Sequence, residues 1–490
     1  MHKPRQAAVR LGVECLIMAA LFVVYHFVLR WLMLNTGLVL GAVRPGYKVY
    51  RIVPLYIYWH PHIKLVLLLG LGVVACFLGW FRRVGWARNG STVAVAAVFM
   101  AWQIAIACGV AMIDPPERPP AEPKTIAKRP WQKLWEPYKV HHASEYLTAV
   151  PRITTPRQFL NDYAGMMPEL PLHCRHHPPG GPLFLWLVAQ VFGSGVVPAS
   201  LVTIAFASLS VPAVYLLARD ALAESPARLA TCLYVLAPNI VCYSATCMDA
   251  VFNVPMVWSI YLLWILRRSH PLLFGMAGGA TTALAALMTF SASFLALWGV
   301  VVLALTALGD RERLANAAMG LVTAVATAAL IYSGLYLWSG YDPFDVLHAA
   351  FGGQDEIMGG RGHSSLRQSL HFMAANLIAF LFCAGLPTAI LWAKQVYREL
   401  RTSTSSRGRW LTLSFALTLL ILDLAPLYTL ETERIWLFMV PFLAIGAAAR
   451  LTVERANEST SQELSPQAGA ALVLLAGQTI VMELLLDWFW

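Results

Sequence analysis

Charged residues are scarce in this chain: only 13% of its 490 residues are Asp, Glu, Lys or Arg. Soluble chains of this length carry about a quarter charged residues, so the composition excludes an ordinary soluble protein. The sequence also lacks an internal repeat at a fixed period and a low-complexity tail, which excludes a solenoid or a disordered array. What is present instead is apolar, since 58% of the residues are hydrophobic. The chain is therefore predicted to be a polytopic membrane protein.

The remaining charge is mostly positive, with a formal net charge of +10. No basic run lies in a soluble segment, so the sequence predicts no nucleic-acid partner. The positive charge instead bears on anionic membrane lipids and on the orientation of the chain in the bilayer.

The fold class predicted from the hydrophobic runs is all-α, with about 13 transmembrane helices. These spans are placed at 11–34, 63–81, 91–113, 198–218, 226–243, 251–267, 271–287, 292–308, 314–337, 371–396, 409–428, 434–450 and 467–486.

Lys and Arg residues recur in every second segment that connects two spans, beginning with Lys3, Arg5 and Arg10 before the first span. By the positive-inside rule this pattern predicts a cytoplasmic N-terminus and, with an odd number of spans, an outer C-terminus. The protein is expected in the plasma (inner) membrane, with its long polar segments on the outer face.

Four segments are predicted along the chain. Residues 1–113 form three N-terminal spans, and residues 114–197 form a large outer loop with interfacial helices. Residues 198–450 form the transmembrane core, with outer loops at 244–250, 338–370 and 429–433. Residues 451–490 contribute an inner loop and the last span.

The sequence HCRHHPPGGPLFLWL, residues 173–187, joins a histidine-rich loop to an apolar stretch. Only the ten residues 183–192 lie between Pro182 and Gly193, whereas a spanning helix needs about 20 residues. A short apolar helix that follows Pro and Gly residues is predicted to lie along the outer membrane surface. The sequence therefore favours a site at the boundary between water and lipid.

Several short motifs follow one another in an order that is informative about the family. Ser144-Glu145-Tyr146-Leu147 lies in the large loop, and His177-Pro178-Pro179-Gly180 precedes the short helix. An inner turn then carries Arg219, an outer loop ends in Asp249, and a late span begins at Glu433-Arg434 and reaches Pro441. This order resembles the glycosyltransferase C superfamily, above all the protein O-mannosyltransferases and the aminoarabinose and Rgt-like transferases.

The resemblance implies a membrane glycosyltransferase that moves a sugar, with inversion, from a polyprenyl-phosphate carrier to an acceptor hydroxyl on the outer face. The acceptor would be a glycan, a lipid or a protein. Such transfer needs a carboxylate base and cationic groups beside the leaving phosphate. The catalytic candidates are Glu145, Asp249 and Asp114, and the substrate-binding candidates are Tyr146, His176, His177, Arg361, His363, Arg434 and Glu433.

Each candidate also has a structural interpretation. Glu145 could be a solvated loop acid, and Asp249 and Asp114 could cap or terminate helices. Arg434 could already be neutralised by Glu431 and Glu433. No cofactor and no metal site are expected, although the spacing of His173, His176 and His177 with Cys174 leaves a divalent metal open.

The alternative function is a multi-span transporter or a flippase for lipid-linked sugars. Such a protein is expected to show inverted repeats or helices broken at mid-span, and ionisable residues inside its spans. The sequence shows no such symmetry and few charges at mid-span, so the enzyme is favoured.

Overall fold

The fold was analysed in a computed structural model of the chain. The structure describes residues 2–36, 38, 51–55, 57–59, 61, 65–86, 90–113, 130–140, 143–268, 270–309, 311–358, 365–402, 407–425, 428, 430–456 and 464–487.

These residues are overwhelmingly helical. The helices of the N-terminal part and of the following loop are α1 (His2–Asn35), α2 (Leu67–Trp80), α3 (Thr92–Ala111), α4 (Pro137–Val140), α5 (Ala143–Ala149), α6 (Pro156–Met166), α7 (Leu172–Arg175) and α8 (Gly180–Phe192). The central helices are α9 (Val196–Ala207), α10 (Ser210–Ala221), α11 (Glu224–Leu236), α12 (Pro238–Thr246), α13 (Asp249–Ile265), α14 (Pro271–Met288), α15 (Ser293–Gly309) and α16 (Leu314–Ser339). The last seven are α17 (Pro343–Met358), α18 (Leu366–Cys383), α19 (Leu386–Arg401), α20 (Arg407–Leu424), α21 (Thr432–Ile435), α22 (Val440–Ala456) and α23 (Pro466–Leu485).

Short 3-10 turns and one π-helical turn connect or extend these helices. They lie at Phe81–Gly85 (the π-helical turn), Pro130–Trp135, Val150–Arg152, Met167–Glu169, Phe290–Ala292, Arg311–Arg313 and Leu437–Met439.

Three very short strands accompany the helices. They are β1 (Arg51–Ile52), β2 (Ile57–Trp59) and β3 (Leu486–Asp487), paired antiparallel in the order β1-β2-β3. Ile52 lies opposite Ile57, and Trp59 lies opposite Leu486. At this size the sheet ties the C-terminal end of α23 to the segment before α2 and leaves the fold class all-α.

Side-chain caps fix where several helices begin. Ser91, Thr155, Ser365 and Ser465 each accept a hydrogen bond at 3.2 Å from the backbone N–H three residues later. Each cap satisfies one of the backbone donors that a helix N-terminus leaves without an intrahelical partner.

Nine helices among the described residues are long and apolar enough to cross a membrane. They are Arg5–Asn35, Leu67–Gly85, Thr92–Ala111, Val196–Ala221, Pro271–Met288, Phe290–Leu308, Leu314–Ser339, Leu366–Cys383 and Pro466–Leu485. The prediction of an all-α polytopic membrane protein is confirmed, and three of these helices precede the large loop, as predicted. The predicted spans at 226–243, 251–267, 409–428 and 434–450 are helical but shorter, interrupted or more charged.

Two predicted single spans are each divided into two helices. The segment 226–243 breaks at Ala237, because Pro238 lacks the backbone N–H that would continue α11 and instead opens α12. The segment 371–396 breaks at Gly385, which has a φ of 104°. A Cβ at Gly385 would meet Leu475 Cδ1 at 2.1 Å, so close helix packing as well as conformation requires glycine there.

The predicted short helix is present as α8, although it begins at Gly180 and not at residue 183. Its 13 residues extend about 20 Å at 1.5 Å per residue. A hydrocarbon core is about 30 Å thick, so α8 is too short to span it upright.

The chain divides into two compact units, each assembled from distant stretches of sequence. The first unit contains residues 1–134, 214–246 and 363–489, and the second contains residues 135–213 and 247–362. The predicted division into four consecutive segments stays a prediction.

A buried apolar cluster in the second unit supports the residues taken up below. The helices of the large loop supply Tyr146, Phe159, Tyr163 and Cys174, all less than 4% exposed. Helix α13 supplies Val251 and Phe252 to the same cluster. Burial of these large side chains holds the short loop helices against the apolar helix α13.

Candidate functional site

Glu145 lies on α5 and binds the histidine-rich segment. Its Oε2 accepts a hydrogen bond from the backbone N–H of His173 at 2.7 Å, and His173 Nδ1 lies 3.2 Å from the same oxygen. The Glu145 side chain is 24% exposed. The carboxylate is therefore oriented by two groups and still reaches solvent, as a base that takes a proton from a ligand must.

Tyr146, the next residue, is buried among aromatic rings. Its ring packs edge-on against His177 and Phe252, with centroids 6.0 Å away in both cases. His177 also lies 5.5 Å from Phe252. Tyr146 is thus a packing residue that joins the large loop to α13, and its predicted substrate-binding role stays a prediction.

Tyr163 on α6 binds the backbone of the histidine-rich segment. Its hydroxyl lies 2.9 Å from the carbonyl oxygens of both Cys174 and His177. One buried side chain therefore fixes the backbone on both sides of His176.

Two glycines allow α8 to approach its neighbours. A Cβ at Gly180 would lie 2.5 Å from the carbonyl oxygen of Leu287, and one at Gly181 would lie 2.8 Å from Tyr146 Cδ1. Only glycine permits this packing. The Pro-Pro-Gly-Gly sequence therefore places the N-terminus of α8 directly against Tyr146.

Asp249 is the first residue of α13 and is 8% exposed. The Cys247 thiol lies 2.9 Å from Asp249 Oδ2, and the backbone N–H of Asp249 lies 3.4 Å from the Cys247 sulfur. A carboxylate in the first helical turn is stabilised by the helix dipole. Asp249 thus sits three residues before Phe252, on the same helix that contacts Tyr146.

Burial shifts the pKa of two groups in this segment away from neutral pH. Burial lowers the pKa of His176 below its usual 6.5, with Arg175 and His173 acting in the same direction. Burial and the nearby Glu145 raise the pKa of the Cys174 thiol to about 12. At neutral pH His176 is a neutral imidazole and Cys174 is an unreactive thiol.

Arg434 and Glu433 lie in the first unit, whereas Glu145 and Asp249 belong to the second. Arg434 is 5% exposed, and its Nη2 lies 2.6 Å from Glu431 Oε2. Leu430 and Glu431 have positive φ angles of 85° and 66°, a strained conformation for residues with a Cβ. The strained turn brings the Glu431 carboxylate onto Arg434.

Asn376 on α18 holds this turn in place. Its amide donates to the carbonyl of Tyr428 at 2.9 Å, and its side-chain oxygen accepts from the backbone N–H of Leu430 at 3.0 Å. The Thr432 hydroxyl donates to the Asn376 carbonyl at 2.7 Å. Glu433 is fully buried, and its carbonyl accepts from Asn239 at 3.1 Å.

Three predicted site residues, Asp114, Arg361 and His363, lie outside the described residues. Within the described part of the chain, no group of three or more His, Cys, Asp or Glu side chains is arranged to hold a metal ion. His173 contacts the Glu145 carboxylate, and the Cys174 sulfur lies 3.8 Å from the Glu145 carbonyl oxygen.

The sequence offered no signal for the partners that orient these candidates. Tyr163 and Asn376 act through buried hydrogen bonds to backbone atoms that are distant along the chain. The sequence singles out His173 only by its metal-like spacing, because its contact with Glu145 depends on how α5 and α7 pack.

One stretch of the chain matches a known protein family. A family model described as dolichyl-phosphate-mannose-protein mannosyltransferase matches residues 176–338, roughly a third of the chain, beginning within the histidine-rich segment. This third of the chain is similar to a family of glycosyltransferases. This match confirms the predicted resemblance and the prediction that the chain is a membrane glycosyltransferase.

No curated protein matches the chain significantly. Among solved structures, the chain is similar to ArnT from Cupriavidus metallidurans bound to undecaprenyl phosphate, with 12% identity and a TM-score of 0.46. The apo state of that ArnT gives 13% identity and a TM-score of 0.40. Both comparisons cover 72% of this chain and 76% of the other.

Proposed function

We propose that this glycosyltransferase moves a sugar from a polyprenyl-phosphate carrier to an acceptor hydroxyl on the outer face of the membrane. The match of residues 176–338 to a family named for a dolichyl-phosphate sugar supports this proposal. A lipid-linked sugar also fits an integral membrane protein, because the carrier's tail stays in the bilayer while its headgroup lies at the interface.

Glu145 is proposed as the general base. Its carboxylate is oriented by His173, is partly exposed, and adjoins the segment where the family match begins. In the proposed step, Glu145 takes the proton of the acceptor hydroxyl while the hydroxyl oxygen bonds to the anomeric carbon. The bond from that carbon to the phosphate oxygen breaks, and its electron pair leaves with the lipid phosphate. Attack from the face opposite the leaving group inverts the anomeric carbon.

Asp249 is proposed as the second carboxylate of the site. It begins the helix whose Phe252 packs on Tyr146, the neighbour of Glu145. Asp249 is buried and contacts Cys247, which suits a group that orients a sugar hydroxyl better than one that exchanges protons with water. Asp114 stays the alternative base.

The test is the variant Glu145→Gln. A glutamine oxygen can still accept the His173 N–H bond, so the loop should keep its fold while the base is lost. We expect transfer to fall by about a hundredfold or more, the usual contribution of a general base, with an unchanged unfolding temperature. The measurements are transfer from a synthetic polyprenyl-phosphate sugar and thermal unfolding of the purified protein.

Glu169→Gln is the matched control, because Glu169 lies in the same loop and its side chain is 79% exposed. That variant should transfer at the wild-type rate. If Glu145→Gln instead lowers the unfolding temperature and keeps its activity, Glu145 is a structural tie to His173. The base is then Asp249 or Asp114, to be separated by their Asn variants.

A further inference from the structure

A basic cavity of about 1050 Å³ lies in the first unit. Four helices line it with residues near one end: α1 near its start, α19 and α22 near their ends, and α23 at its start. The lining residues are Gln6, Ala7, Arg10, Ala393, Lys394, Tyr397, Arg398, Arg401, Thr402, Arg450 and Gln467. The positive-inside pattern assigns all four of these helix ends to the cytoplasmic face.

Five of the described lining residues are cations, and none is a carboxylate. Glu14 compensates two of them from outside the lining, through Arg10 Nε at 3.1 Å and through Lys394 Nζ. The described lining therefore carries an excess of positive charge. Like charges this close repel one another unless an anion neutralises them.

Two of these cations, Arg398 and Arg401, have donors that a ligand can use. The Nη1 of Arg398 is buried and has no hydrogen-bond partner among the described residues. The guanidinium of Arg401 lies 4.4 Å from the ring centroid of Tyr397, which orients it without using its donors. Guanidinium groups held in this way suit the oxygens of a phosphate.

An apolar track leads from the cavity along α1. Val13 and Ile17 follow Gln6 and Arg10 on the same helix face, at intervals of three or four residues. These two side chains are 49% and 53% exposed. An acyl chain could therefore lie on α1 while its headgroup occupies the cavity, which favours a lipid phosphate over free phosphate.

We propose that this cavity binds the phosphate headgroup of an anionic phospholipid of the cytoplasmic leaflet. Basic pockets between transmembrane helices on this side are suited to such headgroups. The bound lipid would neutralise the cavity and join α1 to α19, α22 and α23. This proposal does not depend on the proposed sugar transfer.

The test is native mass spectrometry of the full-length detergent-solubilised protein with added phosphatidylglycerol, phosphatidylcholine, polyprenyl phosphate or inorganic phosphate. The wild type should retain phosphatidylglycerol in preference to phosphatidylcholine. The double variant Arg398→Gln/Arg401→Gln should lose that retention by about tenfold or more, since two charge-assisted contacts are removed. Inorganic phosphate should not displace the lipid.

Arg82→Gln/Arg83→Gln is the matched control, because these two exposed arginines also lie in the last turn of a helix. That variant should retain phosphatidylglycerol as the wild type does. Equal loss in both variants would mean general attraction to a basic surface and would overturn the proposal. Retention of inorganic phosphate alone, or of polyprenyl phosphate in preference to phosphatidylglycerol, would also overturn it.

A second measurement covers the case in which the variant does not fold. Vesicles of phosphatidylglycerol should raise the unfolding temperature of the wild type above its value in phosphatidylcholine vesicles. Arg398→Lys/Arg401→Lys, which keeps the charge, should preserve part of that rise. Identical unfolding temperatures of the wild type in the two lipids would contradict the proposal.

Discussion

Arg434 illustrates how one residue admits two interpretations at once. It contacts Glu431 at 2.6 Å, which is the ion pair expected if the residue is structural. A guanidinium has five donors in a planar fork, so one carboxylate does not exhaust it. The predicted role as a ligand for the carrier phosphate is therefore compatible with the observed pair.

The substitution Arg434→Lys separates the two roles. A lysine keeps the charge that faces Glu431 but loses the fork, so we expect carrier affinity to fall roughly several-fold with the fold intact. Binding of polyprenyl phosphate to the purified variant measures this. Glu431→Gln is the companion variant: if it and Arg434→Lys both lower the unfolding temperature and leave carrier binding unchanged, Arg434 is structural.

At the scale of the elements, α8 shows how two small residues position a helix. Gly180 faces the backbone of Leu287 and Gly181 faces the ring of Tyr146, so the start of α8 packs without side chains between. Pro179 is the N-cap residue at the start of α8. It lacks a backbone N–H, but the first residues of a helix have no intrahelical acceptor for one, so no hydrogen bond is lost. The loop sequence thus sets where α8 begins and how closely it packs.

We expect Gly180→Ala to destabilise the protein by about 1–3 kcal/mol, because its Cβ would lie 2.5 Å from a carbonyl oxygen that cannot simply rotate away. Gly165→Ala is the control. A Cβ at Gly165, on α6, meets nothing within 4 Å, and alanine favours a helix. Thermal or denaturant unfolding of both variants measures the difference. Equal stabilities would mean that α8 moves away at no cost.

For the whole molecule, the orientation in the membrane is the prediction with the widest consequences. The charge pattern places Arg82 inside and the large loop, with Arg157, outside. Both side chains are exposed, so each position can carry a cysteine without disturbing a buried contact.

A membrane-impermeant maleimide should label Arg157→Cys in intact cells and Arg82→Cys only after the membrane is opened. The wild type is the blank. Its exposed Cys76 lies within α2, where a charged reagent in water is not expected to reach it. Labelling in the opposite order would invert the topology and move the proposed active site to the cytoplasmic face.

The sequence by itself determined the class of the molecule. Its apolar composition demands a membrane, and its short motifs in order predicted the glycosyltransferase signature that the match at 176–338 confirmed. It also predicted α8 as too short to span, since length and the flanking Pro and Gly residues are local properties. The number of apolar residues in a segment predicts whether it spans, because the thickness of the bilayer fixes how long a span must be.

The tertiary structure alone decided the contacts that give the candidates their surroundings. Glu145 meets His173 across 28 residues of sequence, and Thr432 meets Asn376 across 56. The division of the 371–396 segment at Gly385 likewise depended on the close approach of Leu475 on α23. Such pairs depend on which buried faces pack together. That choice is set by the summed burial of many side chains, so no short stretch of sequence displays it.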